Sequence, residues 1–376
     1  LPDLDEGDLM YMPTTLPGLS IGKAQELLQQ TDRLIKTLPE VQRVFGKIGR
    51  ADTATDPAPL TMIETLIRLK PQDQWRPGLS LDDLIGELDA TLDLPGVTNA
   101  WVMPIKTRID MLATGIKTPV GVKIAGPDLT EIERIGQQLE RILMQVEGTT
   151  SAFSERVAGG RYVEIRPDRS AAARVGLNVS DINQTVAAAI GGINLTQTVE
   201  GLERYPVNIR FPREQRDDLQ KLRELPIVTP TGAQVPLAQV AEVVISDDAP
   251  MLKSENARLN GWTFVDIRGR DLGSWIAEAQ QRVRDQIQLP AGYSIAWSGQ
   301  YEYMQRARAR LMQVVPLTLA IIFLLLYLTF RHVGEALLVM LSLPFALVGG
   351  FWLLYLLDYN LSVAVAVGLL ALPVCR

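Results

Sequence analysis

The chain has 376 residues and a net charge of -6, from 37 Lys plus Arg against 43 Asp plus Glu. That length allows two or three domains, and the acidic balance gives no general attraction to nucleic acid, which needs clustered positive charge. A single Cys and a single His exclude a disulfide framework within the chain, and any zinc site built from several of those residues.

Taken in chain order, residues 1–310 repeat one plan four times: a strand, a capping residue, an amphipathic helix, a turn and a second strand. Asp8 to Met12 is followed by Ser20 and a stripe through Ile21, Ala24, Leu27, Leu28 and Ile35, then Val41 to Phe45. Met62 to Leu69 leads to Ser80, a stripe through Leu84, Ile85 and Leu88, and Val97 to Val102. Val120 to Ile124 precedes Asp128, a helix with Ile132, Ile135 and Leu139, and a strand ending at Phe153. Thr263 to Arg268 precedes Asp271 or Ser274, a helix with Ile276, Ala279 and Val283, and Tyr293 to Trp297.

Two such units make one βαββαβ ferredoxin-like sandwich. The fold class read from this is α+β, with two ferredoxin-like sandwiches, an inserted subdomain and transmembrane α-helices at the end. The expected boundaries are a first subdomain at 1–115 and a second split between 116–155 and 251–310, with the insert at 156–250. The insert is expected to hold a helix from Val179 to Ile190, a Gly191-Gly192 turn, and strands at Tyr162–Ile165, Val207–Phe211 and Val240–Ile245.

Beyond residue 310 only Arg331, Glu335, Asp358 and Arg376 carry charge. Residues 311–330 and 336–357 are uncharged runs of the length that crosses a hydrocarbon layer of about 30 Å. Arg331, His332 and Glu335 form the short polar connection of a helical hairpin, and Pro344 with Gly349 and Gly350 suits a mild kink and close helix contacts. Residues 361–376 read as a truncated third span. The chain opens on Leu1 without a signal-peptide pattern, so it reads as an internal piece of a longer protein. Charge alone leaves orientation open, because Arg306, Arg308 and Arg310 precede the first span while large domains translocate largely regardless of charge.

The part before the spans has neither imidazole nor thiol, so Ser-His-Asp and Cys-His catalysis is excluded there, and no enzyme activity is expected. Methionine sulfur is its only soft donor. Period-two alternation puts Met62 and Glu64 on the strand face opposite Ile63, Thr65, Ile67 and Leu69. Met10 and Met12 alternate with Leu9 and Tyr11, and Met111 lies in a polar stretch after Pro104. Filling gaps in a core is the alternative role for each of these side chains. If they converged on a metal, neutral polarizable thioethers would suit Cu(I) or Ag(I) rather than zinc.

Long stretches of the chain resemble one family. The runs Glu6 to Gly18, Arg43 to Leu60, Gln74 to Pro77, Arg108 to Lys117, Gly159 to Tyr162 and Arg331 to Leu347 are similar to the heavy-metal efflux branch of the resistance-nodulation-division transporters. The resemblance reaches to about residue 371, and Leu369 to Arg376 departs from it in a way that reads as a truncation or a change of frame. It implies a proton-driven antiporter of the bacterial inner membrane with residues 1–310 in the periplasm. The transporter would be a homotrimer joined to a periplasmic adaptor and an outer-membrane channel, with its proton-relay carboxylate outside this piece. The sandwiches would be porter subdomains and the insert a docking subdomain. The family's three-methionine site falls on Met12, Met62 and Met111, and its charged cleft and channel residues on Glu6, Asp56, Glu64, Arg108 and Lys117. No resident cofactor is implied; Cu(I) or Ag(I) would be cargo, since the cobalt-zinc-cadmium relatives lack the methionines. Export of other divalent cations or of organic compounds, and a membrane-anchored assembly protein without cargo, remain alternatives.

Overall fold

The computed structural model describes residues 5–49, 51–52 and 57–356. Asp56 and the run 361–376 lie outside them. Residues 158–250 form one compact unit, and the other described residues form another.

In the larger unit, the elements run β1 (Asp8–Tyr11), α1 (Ile21–Ile35), β2 (Val41–Ile48), β3 (Ile63–Leu69), α2 (Leu81–Thr91) and β4 (Trp101–Val102). Their sheet has the order β2-β3-β1-β4 with every pair antiparallel. A second set follows a helix α3 (Pro104–Thr114). It comprises β5 (Val120–Gly126), α4 (Leu129–Leu143) and β6 (Thr149–Ser154). After the smaller unit, which holds intervening strands of its own, come β11 (Arg258–Ile267), α6 (Leu272–Gln286) and β12 (Ser294–Gly299). The order is β6-β11-β5-β12, again antiparallel. Each sheet is therefore a βαββαβ chain path with strands ordered 2-3-1-4.

The local reasons are legible. Ser20, Ser80, Asp128 and Asp271 each accept a backbone N–H of the first helical turn, and Ser80 with Asp83 forms a reciprocal capping box. Asp271 takes the cap of the fourth helix, and Ser274 is the residue it caps. One face of the first sheet buries Leu9, Tyr11, Ile67 and Leu69 against Ile35, Leu84, Leu88 and Leu92. The second buries Val120, Val122, Ile124 and Val265 against Ile135, Leu139, Trp275 and Ala279. Ile21 is the exception to its predicted stripe: it opens the first turn of α1 and is exposed.

Two helices extend what the sequence reading assigned. The polar stretch after Pro104 is helix α3, with Pro104 at its first position and Gly115 at a left-handed C-cap, φ +79. It escapes a periodicity search because its buried stripe is Thr107, Asp110 and Thr114, while Ile105, Ile109 and Leu112 are exposed. The helix that contains the expected span 311–330 begins eleven residues before it, at Gln300. It runs as α7 (Gln300–Phe330), because Gly299 ends β12 and the residues from Gln300 to Arg310 are good helix formers. It is long and apolar enough to cross a membrane, and it is followed by α8 (Val333–Leu356).

The smaller unit pairs β7 (Gly160–Pro167) with β10 (Ala241–Asp248) in antiparallel register, Gly160 opposite Asp248. A helix α5 (Val179–Val186) passes through a wider turn to Gly192. An exposed hairpin of β8 (Ile193–Glu200) and β9 (Glu203–Ile209) replaces the single strand expected at Val207–Phe211. Its core gathers Leu177, Ile182, Leu222, Ile227, Leu237 and Val240.

Candidate metal site

The register of β1 on β3 places two of the methionines. Tyr11 faces Thr65, and beyond the strand end Thr14 still bridges Met62. Both pairs obey one register, which sets Met12 opposite Glu64. Met62 is then the diagonal neighbour of Met12 on the same sheet face, within reach for long side chains. This face is the one opposite Leu9, Tyr11 and Ile67, as the period-two reading of Met62 requires. Met12 is fully buried and Met62 half-buried.

Met111 comes from α3, which packs on β1 and β12. It is half-buried, one turn from Thr107 and from Thr114 on the flank of the helix's buried stripe. Glu6 holds the start of this helix: its carboxylate accepts the N–H groups of Ile105 at 2.7 Å and Lys106 at 2.8 Å. Met103, the N-cap residue, has no side-chain acceptor, and Pro104 has no N–H. Glu6 therefore supplies from nearly a hundred residues away the cap that the local sequence lacks. Arg108, on the next turn, is exposed.

Lys117 lies just past α3. Its ammonium donates to the Met12 carbonyl at 2.9 Å and to the Thr14 hydroxyl at 2.7 Å, and sits 5.3 Å from the Phe264 ring centroid. It thus ties the segment bearing Met12 to a ring on β11. Burial pushes its pKa down to about 8; Glu155 and Glu64 oppose the shift and Lys253 adds to it. Glu64 is nearly buried and pairs with Lys47 at 2.6 Å.

Three residues around Lys117 carry no signal in the sequence. Glu155 accepts the Trp262 N–H at 3.0 Å and the Lys253 ammonium, and Lys253 stands 3.9 Å over the Trp262 ring. The separation of 98 residues between Glu155 and Lys253 hides this set from any motif search. Among the described residues no three His, Cys, Asp or Glu cluster as metal ligands. The register brings the thioethers of Met12 and Met62 and the carboxylate of Glu64 to one sheet face, and thioethers are soft donors.

A model of the AcrB/AcrD/AcrF family matches residues 1–373. The cation efflux system protein CusA of Escherichia coli O157:H7 is 52% identical over 372 residues, covering 99% of this chain and 36% of that protein. The putative cation efflux system protein SilA of Salmonella typhimurium is 50% identical, and CzcA of Alcaligenes sp. (strain CT14) 32%, each over 99% of this chain and 36% of the relative. The chain thus spans little more than a third of the length of these relatives. A crystal structure of a heavy-metal efflux pump superposes with a TM-score of 0.91 at 32% identity, covering 99% of this chain and 38% of that one.

Proposed function

Since the chain belongs to the AcrB/AcrD/AcrF family, in the heavy-metal efflux branch of the resistance-nodulation-division transporters, we propose that it is the part of a proton-driven exporter that takes Cu(I) or Ag(I) from the periplasm. The two βαββαβ sheets are its ferredoxin-like porter subdomains, residues 158–250 its docking subdomain, and α7 and α8 its membrane helices. It works as a homotrimer of the inner membrane, with a periplasmic adaptor and an outer-membrane channel.

In this reading Met12, Met62 and Met111 hold the ion through neutral sulfurs, whose bonds to Cu(I) and Ag(I) are labile enough for release. Glu64, opposite Met12, offsets part of the cation's charge. Glu6 and Lys117 act on the methionines rather than on the ion: one holds the helix of Met111, the other the backbone of Met12. Movement of α3 relative to β1 would open the set and pass the ion on.

The observation that carries this reading is the shared register that makes Met12 and Met62 diagonal neighbours, with the helix of Met111 packed on the same strand. The similarity to the cation efflux system proteins CusA and SilA supports a cation as the cargo. Ag(I) titrated into the protein tests it. Met62→Leu conserves volume and costs less than about 1.5 kcal/mol of stability, yet should weaken Ag(I) binding about ten-fold or more, the scale on which a disturbed ligand set acts. Equal affinity in Met12→Leu, Met62→Leu and the parent protein rejects the site.

A further inference from the structure

We infer that the first turns of α7 at the membrane surface form a binding site for an anionic phospholipid. This takes from the proposed function only that α7 passes from the periplasm into the bilayer. The uncharged run Leu311–Phe330 is twenty residues, which at 1.5 Å per residue matches a hydrocarbon thickness of about 30 Å. Arg308 and Arg310 then stand within about 5 Å of its edge, in the headgroup layer. Arg306, one turn higher, is committed to Glu302 at 2.6 Å and to the Tyr303 ring. Arg308 and Arg310 have no ion-pair partner among the described residues.

Three arginines on the outer side face a single one, Arg331, in the short loop at the other end of the span. That is the reverse of the usual cytoplasmic excess, so setting topology does not account for them. Below Arg308 the helix has an apolar groove lined by Ala307, Leu311, Met312, Val315 and Pro316. Leu311 and Met312 are exposed there. Pro316 has no N–H for the Met312 carbonyl, which leaves that carbonyl without its helical donor on the groove wall. A guanidinium above an apolar channel that runs into the hydrocarbon matches one occupant: a phosphodiester headgroup with net negative charge, its acyl chain along the groove.

The test uses the protein reconstituted in phosphatidylcholine vesicles, with spin-labelled phosphatidylglycerol or phosphatidylcholine reporting the lipid held at its surface. The parent protein should select phosphatidylglycerol about five-fold or more, the scale of one arginine at an anionic surface, and lose that selection at high salt. Arg308→Gln with Arg310→Gln should bring the two lipids to parity, and Arg308→Lys with Arg310→Lys should keep the preference. Parity in the parent protein, as when another helix of the transporter fills the groove, or a preference that survives the glutamine pair, overturns the inference. Ag(I) is absent from this measurement, so its outcome is independent of the methionine site.

Discussion

Replacing Glu6 separates a positioning role from a place in the ion path. The carboxylate takes two N–H groups at 2.7 and 2.8 Å, at the second and third positions of α3, where Met103 and Pro104 offer no alternative. Losing a helix cap costs about 1 kcal/mol, and losing a negative charge at a helix N-terminus adds about 0.3–1 kcal/mol. With two donors abandoned at once, Glu6→Ala should cost α3 about 2 kcal/mol of local stability, roughly a 30-fold rise in its opening equilibrium. Glu6→Gln keeps an acceptor oxygen and loses only the charge, so a rise of a few-fold is expected. Native-state hydrogen exchange reads this directly, with the amides of Arg108 to Leu112 compared with those of α1 as an internal reference. Exchange in α3 that stays in step with α1 after Glu6→Ala, or a Gln variant as damaging as Ala, would refute the cap.

Two further substitutions, at Gly115 and Lys117, examine the junction after α3, with Gly96 as a reference position. Gly115 has φ +79, and a Cβ there would lie 2.5 Å from the Trp262 ring, whereas Gly96 has φ +78 in open space. Gly96→Ala should therefore cost about 1–2 kcal/mol from the left-handed backbone alone. Gly115→Ala should add about 1–3 kcal/mol of overpacking; equal thermal midpoints for the two variants would contradict the ring contact. Lys117 titrates near 8 in the folded protein against an ordinary 10.5. Between those values the unfolded chain binds more protons, so this group makes stability rise with pH across the window. Denaturation midpoints from pH 7.5 to 10.5 should show that rise in the parent protein and lack its contribution in Lys117→Met; identical pH slopes would place the ammonium in solvent.

Elements whose buried side is apolar were legible. Ser20, Ser80, Asp128 and Asp271 announce their helices because capping is satisfied within three residues. Ile63, Thr65, Ile67 and Leu69 announce a strand because alternation follows from the pleat, and that alternation alone puts Met62 and Glu64 on the other face. Helix α3 was illegible because its inward stripe is Thr107, Asp110 and Thr114 and its outward one Ile105, Ile109 and Leu112, the reverse of the usual pattern. Its only local marks are Pro104 and Gly115.

The chain order and chemistry of the residues determined the capped amphipathic helices, the alternating strands of the two sheets and the absence of thiol and imidazole before the membrane segment. Tertiary structure decided which distant groups meet: Glu6 with the start of α3, Lys117 with the Met12 carbonyl, Lys253 with Glu155. Hydrophobic periodicity is imposed by a neighbour one turn or two residues away, so it is written along the chain. A hydrogen bond that closes a loop of about a hundred residues requires only one donor and one acceptor and leaves no repeating trace, so it appears only when the sheet register and the docking of α3 bring its ends together.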